Sequence, residues 1–320
     1  MAGTLLTKER PTNGHRHAVD IGDEDHTWLY DECPANWTKG DPVVLLVHGI
    51  AGCAHSPYQI RLMRKLSERG VRTFRMDLRG HGDSGTLATG LGHAGRSEDV
   101  GAVVRHVEKL APGSDITLVG YSMGGNLVLK LAGESGNGLL DSQIRLVIAI
   151  APPVAIELCS RNLDRGWNRV YGLSFIRLLR KQMVYRLGQR RRSIVADAKS
   201  IYDRCRPTSI FQFDDRITAP LCGYDGAIDY YNEASSAPLL TNIAVPTVIF
   251  LAEDDPIIPM RTFESIPVSD STRLVVSANG GHMGYVGSPS STDPDRWWID
   301  WRILDLVDSR DEPVVSKRVA

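Results

Sequence analysis

No apolar run in this chain approaches the roughly 20 residues that a bilayer-spanning helix needs. The opening stretch MAGTLLTKERPTNG lacks the apolar centre of a secretory leader, so no transmembrane segment and no export signal are expected. The five cysteines, Cys33, Cys53, Cys159, Cys205 and Cys222, form no CxxC pair and no metal-type spacing. An odd, scattered set points to reduced thiols in a reducing compartment, hence to a cytoplasmic protein. Net charge is only −1 over 320 residues, which argues against a nucleic-acid binder. There is no HExxH, no phosphate-loop lysine after the glycine-rich turn MDLRGHGDSG, no internal repeat and no low-complexity tract. Metal hydrolysis and nucleotide binding therefore lose their usual signatures, and neither a metal nor a cofactor is expected.

What the chain does contain is LVGYSMGG, residues 118–125, where a serine stands between glycines immediately after an apolar run. ITLVG reads as a strand and NLVLKLAGE as a helix, with Leu127, Val128 and Leu131 on one side. A plain turn does not need Gly120, Gly124 and Gly125 around one polar residue. A strained strand-to-helix corner does, because neighbouring backbone must cross closely there while the serine hydroxyl is lifted out of the sheet. Ser122 is thus the candidate nucleophile, and the first amides of the helix, Met123 N–H among them, face any negative charge formed beside it.

Around this corner, strand-like and helical patterns alternate from VVLLVHG (43–49) through QIRLMRKLSERG, VRTFRMDLRG, a helix from about Ser97 to Leu110, DITLVGYS and IRLVIAIAPP. After Pro153 the pattern becomes helical and richer in arginine, then strand order resumes with PTVIFLAEDD and RLVVSANGGH and closes with DRWWIDWRILDLV. The class expected is α/β: a mostly parallel twisted sheet with helices on both faces and a helical cap inserted between strands 6 and 7. HAVDIGD and HTWLYDE supply an antiparallel edge. The divisions expected are sheet domain over 1–153, cap over 154–238, sheet domain again over 239–308 and a frayed tail over 309–320.

A serine hydroxyl needs a base. In a sheet of this order the base follows the last strand. His15, His17, His26, His48, His55, His81, His93 and His106 all precede Ser122, which leaves His282, in the glycine-rich SANGGHMGY. The orienting acid should end the preceding strand, where FLAEDDPIIP offers Glu253, Asp254 and Asp255. Asp255 is preferred because Pro256 fixes the backbone after it, and the neighbouring aspartate is expected to cap the following turn. For the oxyanion, LLVHGIAG places Ile50 N–H opposite Met123 N–H. His48 and the turn bearing Asp77 and Arg79 read as scaffold.

Together HGIAGCAHSPY, FRMDLRGHGDSG, GYSMGGN, FDDRITAPLCGYDGAIDYYNEAS, LAEDDPIIP and GGHMGYVG make the chain resemble the α/β-hydrolase superfamily. More narrowly, it is similar to the YheT-like branch, which groups with embryogenesis-associated plant proteins and animal phospholipase-type relatives. FDDRITA with GYDGAIDYY is the more specific part, because it lies in the insert where hydrolases differ. The resemblance implies the α/β-hydrolase fold and a carboxylesterase-like activity on small-molecule esters or lipids, with Ser122, Asp255 and His282 as triad. Two departures stand out: the N-terminal segment is shortened, and Ile50-Ala51 occupies a place where that family often has Leu-Glu. Acyl transfer would use the same residues, and a non-catalytic interaction protein on a hydrolase scaffold is the alternative of another class. The basic run FIRLLRKQMVYRLGQRRR, with Arg177, Arg180, Lys181, Arg186, Arg190, Arg191 and Arg192, reads first as a solvated helix face and second as a lid face for anionic head groups or acyl chains.

Overall fold

A computed structural model describes residues 14–187 and 195–309. Eight strands form one sheet in the order β1-β2-β4-β3-β5-β6-β7-β8. They are β1 (His15–Asp20), β2 (His26–Glu32), β3 (Val43–Val47), β4 (Arg72–Met76), β5 (Ile116–Tyr121), β6 (Ile144–Ile150), β7 (Thr247–Ala252) and β8 (Thr272–Ser277). β1 and β2 form the antiparallel edge that the sequence suggests, and β2 joins β4 antiparallel. Every pair from β4 through β3, β5, β6 and β7 to β8 is parallel. The central strands β3, β5 and β7 are buried along their whole length. VVLLV and TVIFLA run apolar without alternation for that reason, since helices cover both faces.

Helices α1 (Pro57–Glu68), α2 (Ser97–Leu110) and α3 (Met123–Ser135) connect the strands of the first half. α1 begins at a proline, whose missing N–H costs nothing in the first turn, and Gly70, at φ +76°, ends the excursion. Between β6 and β7 the described residues contain no strand. They fold into α4 (Ile156–Leu163), α5 (Arg169–Leu187), α6 (Val195–Cys205), α7 (Ile210–Phe213), a π-helical turn (Asp214–Thr218), α8 (Ala219–Leu221) and α9 (Ala227–Ala234). The short α10 (Arg261–Glu264) follows β7, and α11 (Trp298–Asp308) follows β8.

α11 starts three residues later than DRWWIDWRILDLV suggests, because Asp295 Oδ1 accepts the Trp297 N–H and the Trp301 indole N–H and holds that stretch as a turn. It is tied to α1 by fully buried Asp300, which accepts from Arg61 Nε at 2.5 Å, Arg61 Nη2 at 3.1 Å and Lys65 Nζ at 3.0 Å. The Arg61 guanidinium lies 3.9 Å from the centre of the Trp297 ring. The tail beyond Ser309, expected to fray, lies outside the described residues, as do residues 1–13 of the opening stretch. Among the described residues no helix is long and apolar enough to cross a membrane.

Candidate active site

Ser122 sits between the last residue of β5 and the first of α3, at φ +50° and ψ −118°. This is a region that a side chain with a Cβ rarely occupies, and surrounding contacts must hold it there. One is the Ser122 N–H donating to Ile150 O at 2.8 Å across the sheet. The flanking glycines explain themselves by distance. A Cβ on Gly120 would lie 2.3 Å from Gly124 O, and one on Gly124 would lie 2.5 Å from the carbonyl oxygens of both Val47 and His48. The corner is therefore pressed against the end of β3. Other non-glycine residues with positive φ gather at the same edge of the sheet: Ala51, Ala151, Met283 and Tyr285.

The structure brings the three sequence-selected side chains together. His282 Nδ1 lies 2.9 Å from Asp255 Oδ2, and His282 Nε2 lies 2.9 Å from Ser122 Oγ. An ionised carboxylate only accepts, so Nδ1 carries the proton and Nε2 presents its lone pair to the serine hydroxyl. Asp255 Oδ1 accepts two further bonds, from Ile257 N–H at 2.8 Å and Ile258 N–H at 3.1 Å. All three residues are buried.

The neighbouring aspartate behaves differently from the sequence expectation. Asp255 itself caps the turn that follows β7. Asp254 points the other way, and its Oδ1 accepts from Gly280 N–H at 2.8 Å and Gly281 N–H at 2.7 Å, so it caps the loop that carries His282. That loop is closed on itself by Gly284 N–H and Tyr285 N–H donating to Gly280 O. It is pinned to α11 by the Trp298 N–H donating to Tyr285 O and by the stacked Tyr285 and Trp298 rings.

Beside the serine, the Gly49 N–H donates to the Tyr58 hydroxyl at 3.1 Å, which leaves Ile50 as the next amide of that turn. Among the described residues neither Ile50 N–H nor Met123 N–H donates to any acceptor, and both residues line one cleft with Ser122. His48 is fully buried beneath this turn. It takes the Leu78 N–H on Nε2 at 3.0 Å and donates from Nδ1 to Gly49 O at 2.7 Å, and burial above all pushes its pKa down to about 3. Asp77 accepts from Ala54 N–H and Ser84 N–H and binds this turn to the next, its carboxyl raised to about 7 chiefly by burial. Arg79 is clamped by Asp25 and Asp99. These residues build the scaffold under the site.

The cleft holds roughly 1160 Å³ of empty space, counting the part open to solvent. Its walls are mostly apolar, with Pro153, Ile156, Leu163, Phe175, Met183 and Ile258 among them. Cys159 lies in the wall, and burial first of all pushes its thiol up to about 12, so the thiol stays protonated at neutral pH. Three polar groups here were not singled out from the sequence as facing the site. Asp214, in the π-helical turn of FDDRITA, accepts hydrogen bonds from the Thr218 and Tyr231 hydroxyls and is raised to about 6 by burial. His93 is lowered to about 3, again mainly by burial. Arg186, read from sequence as part of a basic outer face, turns inward. Its Nη2 donates to Ala88 O at 3.0 Å and Gly90 O at 2.9 Å, and burial lowers its pKa to about 10, which leaves it cationic at neutral pH. Of that basic run, Arg190, Arg191 and Arg192 lie outside the described residues. Among the described residues, no group of three or more His, Cys, Asp or Glu side chains is placed to hold a metal ion.

Comparison with known proteins agrees with this fold. A family model of the alpha/beta hydrolase fold matches residues 42–289. The chain is similar to the candidate esterase YheT of Escherichia coli (strain K12), 30% identical over 90% of this chain and 83% of that one. It is also similar to phospholipase ABHD3 of Mus musculus, 28% identical over 87% of this chain and 65% of that one. The embryogenesis-associated protein EMB8 of Picea glauca is 27% identical over 92% of this chain and 63% of that one. The chain thus spans less than two thirds of the last two. Among solved structures, the esterase Pf2001 of Pyrococcus furiosus superposes with a TM-score of 0.57 at 14% identity, over 92% of this chain and 89% of that one. Est1E of Butyrivibrio proteoclasticus with bound ferulic acid gives 0.53 at 19% identity, over 83% of this chain and 90% of that one. At such identities these two speak for the fold alone.

Proposed function

The chain belongs to the α/β-hydrolase superfamily, in its YheT-like branch, and from that premise we propose that it hydrolyses carboxylic esters of short to medium acyl chain through an acyl-enzyme. The observation that carries the reading is the unbroken line Asp255–His282–Ser122, two contacts of 2.9 Å each, opening into an apolar cleft. Ser122 Oγ attacks the ester carbonyl carbon while His282 Nε2 takes its proton. The carbonyl π bond opens to an oxyanion, held by Ile50 N–H and Met123 N–H, and such donors contribute on the order of 3 kcal/mol each. The oxyanion collapses, the C–O bond to the alcohol breaks, and the imidazolium returns its proton to the leaving oxygen. Water, activated by the same Nε2, then attacks the acyl carbon and frees the acid and Ser122. Asp255 fixes the tautomer and balances the imidazolium throughout.

The described residues within 154–238 serve as a cap over those of the two core parts, 1–153 and 239–308, and Phe175, Leu179 and Met183 of α5 supply its wall for the acyl chain. An apolar wall of this kind extends the substrate range to lipid esters, in line with the phospholipase among the relatives. The unpaired state of all five cysteines supports a cytoplasmic setting. The decisive experiment is turnover of a series of p-nitrophenyl esters by the chain and by Ser122→Ala, together with fluorophosphonate labelling. The variant should lose on the order of 10⁴ to 10⁶ in kcat, and labelling with it, at unchanged melting temperature. Near-normal turnover by Ser122→Ala, with the label on another residue, would defeat the assignment.

A further inference from the structure

α5 has two dissimilar faces. Inward, Phe175, Leu179, Gln182, Met183 and Arg186 line the cleft that holds Ser122. Outward, Val170, Leu178, Val184 and Tyr185 stand in solvent at 60, 43, 50 and 53% exposure, and Trp167, in the turn just before the helix, is 90% exposed. With Leu158, six of the eight most exposed large apolar side chains among the described residues fall within residues 158–185. Such a concentration stands out because, among the described residues, the other two, Ile228 and Val286, lie singly elsewhere.

The same stretch is basic. Arg165, Arg169, Arg177, Arg180 and Lys181 are all exposed, and no aspartate or glutamate occurs from Arg165 to Tyr185. Among the described residues none of the five is held in an ion pair. Arg180 leans over the Tyr202 ring. The acids nearby are partly spoken for: Glu157 pairs with Arg161, and Asp203 on α6 with Lys199. Half-buried Asp164 feels the fields of Arg169 and Arg161.

We propose that this outer face of α4 and α5 docks on an anionic lipid surface, so that the helix walling the cleft rests on the membrane. Aliphatic and aromatic side chains interleaved with cations suit the boundary between head groups and acyl chains, where the apolar groups leave water and the cations meet phosphate. A nucleic acid would satisfy the cations but leave Val170, Leu178 and Val184 exposed. A second copy of the chain, meeting this face with its own, would set five cations against five. The overall charge of −1 conceals this patch because acids elsewhere cancel it. The docking does not depend on the reaction; only its use, access to membrane-held esters, rests on the hydrolase reading.

The test is co-sedimentation of the full chain with vesicles of mixed phosphatidylcholine and phosphatidylglycerol, against vesicles of phosphatidylcholine alone. Binding is expected to the mixed vesicles and to weaken with salt. The triple variant Arg177→Gln, Arg180→Gln, Lys181→Gln should bind about a hundredfold more weakly, at about fivefold for each cation removed near such a surface. Trp167→Ala should weaken the binding that survives high salt. Ser122→Ala should bind like the parent, and the triple variant should hydrolyse a soluble short-chain ester at the parental rate, so that failure of docking and failure of the hydrolase reading are read separately. Absence of sedimentation with the mixed vesicles, equal binding by the triple variant, equal binding to neutral vesicles, or preferential capture of polyuridylate would each overturn the proposal.

Discussion

Two adjacent aspartates with opposite duties allow a sharp comparison. In Asp255→Asn, the two amides Ile257 N–H and Ile258 N–H, at 2.8 and 3.1 Å, demand an acceptor and draw the side-chain oxygen to themselves. The amide NH₂ is then presented to His282 Nδ1, which must become the acceptor, and the imidazole proton moves to Nε2, where it faces Ser122 Oγ 2.9 Å away. A nitrogen bearing a proton cannot take another from serine. The expected loss in kcat is about 10⁴-fold, or roughly 5 kcal/mol at 1.36 kcal/mol per factor of ten. Asp254→Asn keeps an oxygen for Gly280 N–H and Gly281 N–H and loses only the charge, at an exposed position. About 1 kcal/mol of weakened loop capping allows at most about a tenfold fall in kcat. The assay is single-turnover and steady-state hydrolysis of an activated ester by both variants, with melting curves to establish folding. A larger loss in Asp254→Asn than in Asp255→Asn, with both folded, refutes the reasoning.

Gly124→Ala should destabilise the chain by about 2 kcal/mol or displace Ser122, because the new methyl would lie 2.5 Å from two backbone oxygens; Gly138→Ala, with nothing within 4 Å, serves as the neutral control in thermal melts. His93 remains neutral when folded, its pKa lowered from 6.5 to about 3, whereas the unfolded chain takes up that proton as pH falls below 6.5. The stability it contributes is therefore complete above pH 6.5 and is lost progressively toward pH 3, roughly 2 kcal/mol of it by pH 5. His93→Gln should lower the difference in unfolding free energy between pH 7 and pH 5 by about that amount, read from urea melts at the two values, and an unchanged difference would contradict it.

The elements that carry the site were legible because each had a local cause. β3, β5 and β7 are continuous apolar runs, Ser122 is marked by the glycines its corner requires, and His282 is the one histidine that follows it in the sequence. Arg186 was not legible, since basic and apolar residues interleave along α5 without a clean period, and which of them turns inward depends on the Ala88 and Gly90 carbonyls about a hundred positions away. Asp254 was misread for a related reason. Its partners, Gly280 and Gly281, lie beyond the next strand, and the spacing of the turn after β7 says nothing about them. The late start of α11 likewise reflects a side chain, Asp295, bonding locally to an amide and an indole rather than any break in the apolar pattern.

The pinning of the His282 loop onto α11 also imposes an order in time. A ribosome delivers Ser122 first, the acid after it and the base last, and the base is held in place by Trp298, still further along the chain. The interval from residue 122 to residue 298 takes about 10 to 35 s at ordinary elongation rates. The corner itself waits for β6, whose Ile150 O takes the Ser122 N–H, and the imidazole is pinned only once Trp298 has been added; on the hydrolase reading proposed above, a growing or stalled chain is therefore expected to be inert toward esters and toward fluorophosphonates until α11 has formed.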